Sequence, residues 1–167
     1  SGWIGIPGIE SAGGAAIVSD IPVSEQSFRG RGVIQPSLWE SRPGNVHMLL
    51  RSTEGQIYRS DSGDGGLTWT DAYPTGMPNN NSGLDVARLD DGTLVLACNP
   101  VGINWGPRTP LALFASRDNG GAWTQVAVLE DGAGEYSYPA VIARGADIFL
   151  TYTSNRDNIA FRHLRLV

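Results

Sequence analysis

Apolar residues run along this chain in short stretches of about four to seven, separated by clusters of Gly, Pro, Asn, Asp and Ser, and they do not follow helical spacing. The stretches come in sets of similar order. VHMLLR (46–51), LVLACN (94–99) and IFLTYT (148–153) each follow a turn, RPGN, DDGT or RGAD, and each ends in polar residues. Ahead of those turns PSLWES, LDVARL and YPAVIA predict a preceding strand. After them QIYRS (56–60), PLALFAS (110–116) and NIAFRHL (158–164) predict a third, and a fourth short strand is expected to begin at Trp69 and at Trp123. The expected fold class is all-β.

Between the third and fourth strands one turn occurs twice. SGDGGLTW (62–69) and SRDNGGAW (116–123) share Ser-x-Asp-x-Gly-x-x-Trp, position for position, 54 residues apart. A period of this length built from short strands joined by hairpin-sized connections predicts a β-propeller of four-stranded antiparallel blades. The blades are expected at 35–73, 74–127 and 128–167, the last without its copy of the turn, with a partial or degenerate blade over 1–34. In the turn the Asp carboxylate is expected to accept from backbone N–H groups two residues on, the Gly to supply positive φ, and the Trp to pack on a neighbouring sheet. Calcium-loop spacing fails in DSGDGG, where Ala72 stands in place of the bidentate Glu. Three blades cannot close a ring, and half a ring bares apolar blade faces. The expectation is therefore a homodimer of half propellers forming six blades, or a fragment of a longer chain.

Composition narrows the function classes. With 167 residues the chain has room for one sizeable core, and its 22 Gly and 10 Pro suit a turn-rich β protein. A net charge of -5 argues against a nucleic-acid partner, and no apolar run is long enough to span a membrane as a helix. The lone cysteine, Cys98, lies inside the apolar run TLVLACN and is expected to be buried and structural. All 12 basic residues are arginine, a residue whose planar fork suits carboxylate ligands. His47 and His163 lie inside apolar strands without Cys, Asp or Glu at ligand spacing, so neither a metal site nor a Ser-His-Asp arrangement is expected from them, and no cofactor is implied. Compartment stays open.

The two eight-residue turns resemble the Asp-boxes, or BNR repeats, of the sialidase (neuraminidase) superfamily. From about Val33 onward the chain looks like the C-terminal half of a sialidase-like six-bladed propeller. The resemblance implies a glycoside hydrolase that holds an acidic sugar through an arginine clamp. By position, Arg51 in HMLLRSTEGQIYRSDSGDGG and Arg108 in PRTPLALFAS match two of the family's three carboxylate-binding arginines. Tyr136 in GEYSYPAVI matches its tyrosine nucleophile, and Tyr138 is the substitute, expected to face the same way. A neutral phenol suits an anomeric carbon that already bears a carboxylate.

The departures matter as much. The glutamate that pairs with the tyrosine is replaced by Gln35, which takes no proton; Glu40 is expected on the other face, and Glu135 lies in the loop before Tyr136. The family's first arginine and its aspartic general acid have no visible counterpart. Gln35, the NNNSG stretch with Asn81, and YSY are expected at one mouth of the ring, joined by Arg51, Asn99 and Thr153. Trp105 is a candidate sugar-stacking ring beside Arg108, and the Asn80-x-Ser82 sequon is taken as chance. Two function classes follow: an exo-acting glycosidase whose missing groups come from a completed ring, or a non-catalytic carbohydrate-binding or self-associating module. The predicted partners are an acidic carbohydrate and a second copy of the chain.

Overall fold

The fold was analysed in a computed structural model that describes residues 32–167. Eleven strands form three antiparallel sheets in sequence order. The first sheet holds β1 (Val33–Arg42), β2 (Asn45–Ser52), β3 (Gln56–Ser62) and β4 (Tyr73–Pro78). The second holds β5 (Asp85–Arg88), β6 (Leu94–Cys98), β7 (Leu111–Ser116) and β8 (Thr124–Glu130). The third holds β9 (Tyr136–Arg144), β10 (Asp147–Ser154) and β11 (Asn158–Arg165). Each sheet is a meander, and β5 packs against both β1 and β9, so the first strands gather at the centre as in propeller blades. The expected partial blade at 1–34 lies almost wholly outside the described residues.

Blade packing follows from the period-two alternation of apolar residues. Trp39, Leu49, Ile57, Val86, Leu96 and Phe114 belong to a core that joins the first and second blades. Val95, Leu113, Val141, Ile148, Leu150 and Tyr152 belong to one that joins the second and third. The second blade is covered on both sides, and each residue of β6 is buried accordingly. The opposite face of the third blade carries Ile142, Ile159 and Phe161, each more than 60% exposed. Cys98 lies in the first of these cores, and burial pushes its thiol up to about 12. Iodoacetamide should leave native Cys98 unmodified and label it only in denaturant; rapid native labelling would contradict the burial.

The Ser, Asp and Gly of the repeated turn are bonded alike in both copies, while Trp69 Nε1 donates to Gly66 O and Trp123 Nε1 is buried without a partner among the described residues. Ser62 Oγ accepts from Gly66 N at 2.8 Å, and Ser116 Oγ accepts from Gly120 N at 2.8 Å. Asp64 accepts from Ser62 Oγ and Thr68 N, while Asp118 accepts from Ser116 Oγ and Ala122 N. The backbone donor thus lies four residues on, where two were expected. Gly66 and Gly120 have φ of 90° and 82°, which explains glycine at this position. The fourth strand of the first blade starts at Tyr73 and not at Trp69, because the intervening residues still belong to the turn: Thr70 N donates to Asp61 O and Thr70 Oγ1 accepts from Asp61 N.

One carboxylate ties the three central strands together. Asp85 Oδ1 accepts from Ser37 Oγ of β1 at 2.5 Å, and Asp85 Oδ2 accepts from the Val141 N–H of β9 at 2.7 Å. Ser37 Oγ in turn accepts from Val86 N at 3.0 Å.

Candidate functional site

The carboxyl-terminal part of β2, the loop before β7 and the start of β9 converge on one mouth of the blade array. Arg108 Nη1 donates to Glu135 Oε1 at 2.9 Å and to Ser137 Oγ at 3.1 Å, and its Nη2 donates to Tyr138 Oη at 3.3 Å. Its guanidinium also stacks over the Tyr138 ring, 4.9 Å from the centroid. The Arg108 hydrogen bond holds the Tyr138 phenol below the usual tyrosine range. Partial burial works against this, and the charge of Arg108, then the hydrogen bond and charge of Arg51, add to the lowering. Arg51 and Arg108 therefore flank the same hydroxyl. Arg51 Nε is buried without a hydrogen-bond partner among the described residues.

Tyr138 and Gln35 occupy equivalent places. Ile34 pairs with Arg51 and Ser137 pairs with Thr153, so the next residue in each blade is Gln35 or Tyr138. Both have φ of 53° and both precede a proline, at register shifts in β1 and β9. A pre-proline residue normally stays extended, and a left-handed one costs roughly 1–3 kcal/mol. Such strain is kept where the surroundings fix it. A Cβ at Gly83 would come 2.8 Å from Tyr138 Cδ1 and 3.3 Å from Gln35 Nε2, so Gly83 of the second blade lies between these two side chains.

The same bulge separates the two tyrosines that strand alternation puts on one face. Tyr136 packs against the core of the second and third blades, and a Cβ at Gly134 would lie 2.9 Å from its hydroxyl. Tyr138 is 44% exposed and is the phenol beside the two guanidiniums. Glu135 is held by Arg108 and by Arg156 Nε at 2.9 Å, and Glu40 accepts from Gly44 N across the β1–β2 turn.

Asn80, Asn81 and Asn99 are buried and bonded to neighbouring loops and strands. Asn80 Nδ2 donates to the carbonyls of Gly106 and Pro107, and its Oδ1 accepts from Ser82 Oγ. With its amide nitrogen committed and its side chain buried, Asn80 is not free to carry a glycan in this fold. Asn81 is buried, with φ of 61°, and donates through Nδ2 to Asn104 Oδ1. Asn99 donates to Pro110 O and Tyr136 O, stitching β9 to the second blade. Trp105 is 72% exposed and anchored only at its backbone, by N–H donation to Asn80 O at 3.1 Å.

At the other end of β1 lies a cluster that the sequence pattern did not reveal. Trp39, His47 and Asp61 are register partners across β1, β2 and β3. His47 Nδ1 is 2.5 Å from Asp61 Oδ1, and Ser41 Oγ is 2.7 Å from His47 Nε2. Asp61 also accepts from Arg59 Nε and Tyr73 Oη. The second Asp-box turn closes the cluster: Asn119 Oδ1 accepts from Trp39 Nε1 and Asn119 O accepts from Arg59 Nη1. A Ser-His-Asp arrangement is thus present where none was expected from the spacing. Pairing register supplies it, and linear spacing does not show register.

Comparison with known proteins agrees with this architecture. The α-L-arabinofuranosidase Arb93A of Fusarium graminearum superposes with a TM-score of 0.61 at 20% identity, over 86% of this chain and 47% of the other. Trypanosoma rangeli sialidase, in complex with the inhibitor DANA, gives 0.62 at 15% identity over 81% and 24%. A protein of unknown function from Dyadobacter fermentans gives 0.65 at 21% identity over 88% and 41%. The chain therefore spans less than half the length of each of these structures, and at such identities the likeness is one of fold: a sialidase-like propeller. No curated protein sequence matches. The BNR repeat-like domain family matches residues 15–150, a span that includes both Asp-box turns, and the chain belongs to that family.

Proposed function

We propose that this chain is a sialidase-superfamily glycan-recognising protein whose Arg51–Arg108–Tyr138 mouth binds the carboxylate of an acidic sugar. The observation that carries the reading is the convergence of two guanidiniums from adjacent blades on one partly exposed phenol, with Arg51 Nε still lacking an acceptor. A buried charged donor without an acceptor is costly, and a carboxylate satisfies it with a charge-assisted bond. Tyr138, its proton loosened by the two cations, takes the anomeric position for which Tyr136 was the first candidate. Trp105 offers an exposed ring face for stacking.

Turnover needs groups beyond those of this mouth. Gln35 cannot act as the base for a tyrosine, and Glu135 is already paired with two arginines. In an exo-glycosidase the acid and base would come from the remaining blades of a complete ring, supplied by a longer chain or a second copy covering the exposed face of the third blade. A non-catalytic carbohydrate-binding or self-associating module is the second reading, and Gln35 favours it.

Calorimetric titration with N-acetylneuraminate, glucuronate and arabinose tests the clamp. Acidic sugars should bind, arabinose should not, and Arg51→Ala should weaken acidic-sugar binding at least tenfold. Unchanged affinity in Arg51→Ala, or equal affinity for arabinose, refutes the carboxylate clamp.

A further inference from the structure

We propose that Ser41 is a nucleophile activated by His47 and Asp61, opening into a second, cationic pocket that accepts acyl esters bearing a carboxylate. This site lies at the opposite end of β1 from the Gln35 mouth and does not depend on the sugar reading. Asp61 has no proton to give: burial opposes its ionisation, but hydrogen bonds from Tyr73, His47 and Arg59, with the charge of Arg59, hold its carboxyl below the ordinary range. In the neutral imidazole the proton of the 2.5 Å contact then sits on His47 Nδ1 and the lone pair on Nε2. Two donors meet that lone pair, Ser41 Oγ at 2.7 Å and Asn119 Nδ2 at 3.2 Å. The tautomer is the one a serine nucleophile requires. Stacking on Trp39, with ring centroids 5.0 Å apart, and the bond to Asp61 hold the imidazole in place.

Ser41 stands at a bulge that ends β1, where the register shifts between Glu40 and Arg42, and it lines a cavity of about 470 Å³ together with Arg88, Asp91, Thr93, Arg117 and Asn119. Neither arginine takes part in an ion pair among the described residues, and the one carboxylate in the lining, Asp91, is already bonded to Thr93 N and Oγ1. Asp91 stays ionised, held below the ordinary carboxyl range by its Thr93 hydrogen bonds and the charge of Arg117, so the lining keeps one net positive charge and favours an anionic ligand. In the reaction Ser41 Oγ forms a bond to the ester carbonyl carbon as its proton passes to His47 Nε2. The bond from that carbon to the alkoxy oxygen then breaks, and the leaving oxygen takes the proton. In the second half water bonds to the acyl carbon and gives a proton to Nε2, the bond from that carbon to Ser41 Oγ breaks, and Oγ takes the proton back from Nε2 as the carboxylic acid leaves.

The test treats the full chain with a fluorophosphonate and maps the adduct by mass spectrometry, then compares hydrolysis of p-nitrophenyl hemisuccinate and p-nitrophenyl acetate. Expected results are a single phosphonyl adduct on Ser41, none in Ser41→Ala, and at least tenfold higher kcat/KM for the hemisuccinate that falls in Arg88→Gln and Arg117→Gln. Ser41 is only half-buried, and circular dichroism of Ser41→Ala establishes that the variant is folded. Absence of a Ser41 adduct in the wild-type chain, or equal hydrolysis by Ser41→Ala, overturns the proposal.

Discussion

Asp61→Ala is expected to lower the stability of the chain by about 2–3 kcal/mol, among the larger effects available to one substitution. Arg59 is 9% exposed, and its charge is compensated by Asp61 at 2.8 Å. Removing the carboxylate leaves that cation with the Asn119 carbonyl, the Trp39 ring face and the His47 ring but no anion, and deprives Tyr73 Oη and His47 Nδ1 of that acceptor. The figure lies at or below the low end of the range for a broken buried pair because the Asp61 side chain is 26% exposed. A pH signature accompanies it. Since the folded state holds the Asp61 carboxyl below its ordinary value of 3.8, its contribution is complete above that value and is lost as pH falls through the folded value. Urea midpoints of wild type and variant should therefore differ at pH 7 and converge below about pH 4. A constant difference across that range would show that the carboxylate's charge is not what stabilises the cluster.

Gly83→Ala carries the other large expected effect, and it falls on binding. The added Cβ would meet Tyr138 Cδ1 at 2.8 Å, closer than packed carbons come, so one side must yield. Gly83 lies in a buried stretch between Ser82 and Leu84, whereas the Tyr138 ring is 44% exposed. The ring moves, and with it the stacking surface under Arg108 and the hydroxyl between the two guanidiniums. Acidic-sugar affinity should drop at least tenfold while the melting temperature stays within about 4 °C of wild type, the shift that about 1 kcal/mol produces at this size. An unaltered affinity would mean that the Tyr138 ring position does not matter to the ligand.

The blades were legible because their signals are local. Alternation, hairpin turns and the Asp-box repeat each act within a few residues, and together they mark the strands in the order observed. The family resemblance singled out Arg51 and Arg108, and both guanidiniums lie beside Tyr138. The orientation of Tyr138 was not, since a bulge breaks the alternation that would pair it with Tyr136; the only linear trace is a following proline shared with Gln35. The His47 cluster is further from reach. Its members come from three strands and a turn of the next blade, 80 residues separating Trp39 from Asn119, and only the pairing register brings them together.

The Asp85 carboxylate has a bearing on how the module comes apart. Its two oxygens serve donors from the first and third blades, so detaching either terminal blade leaves a half-satisfied acid near the centre and an uncapped Ser37 hydroxyl or Val141 amide. That penalty rules against peeling blades one at a time, as a stack of independent repeats can. The described blades are therefore expected to melt as one cooperative unit, with amide exchange at Val86 and Val141 following global opening rather than fraying of an edge.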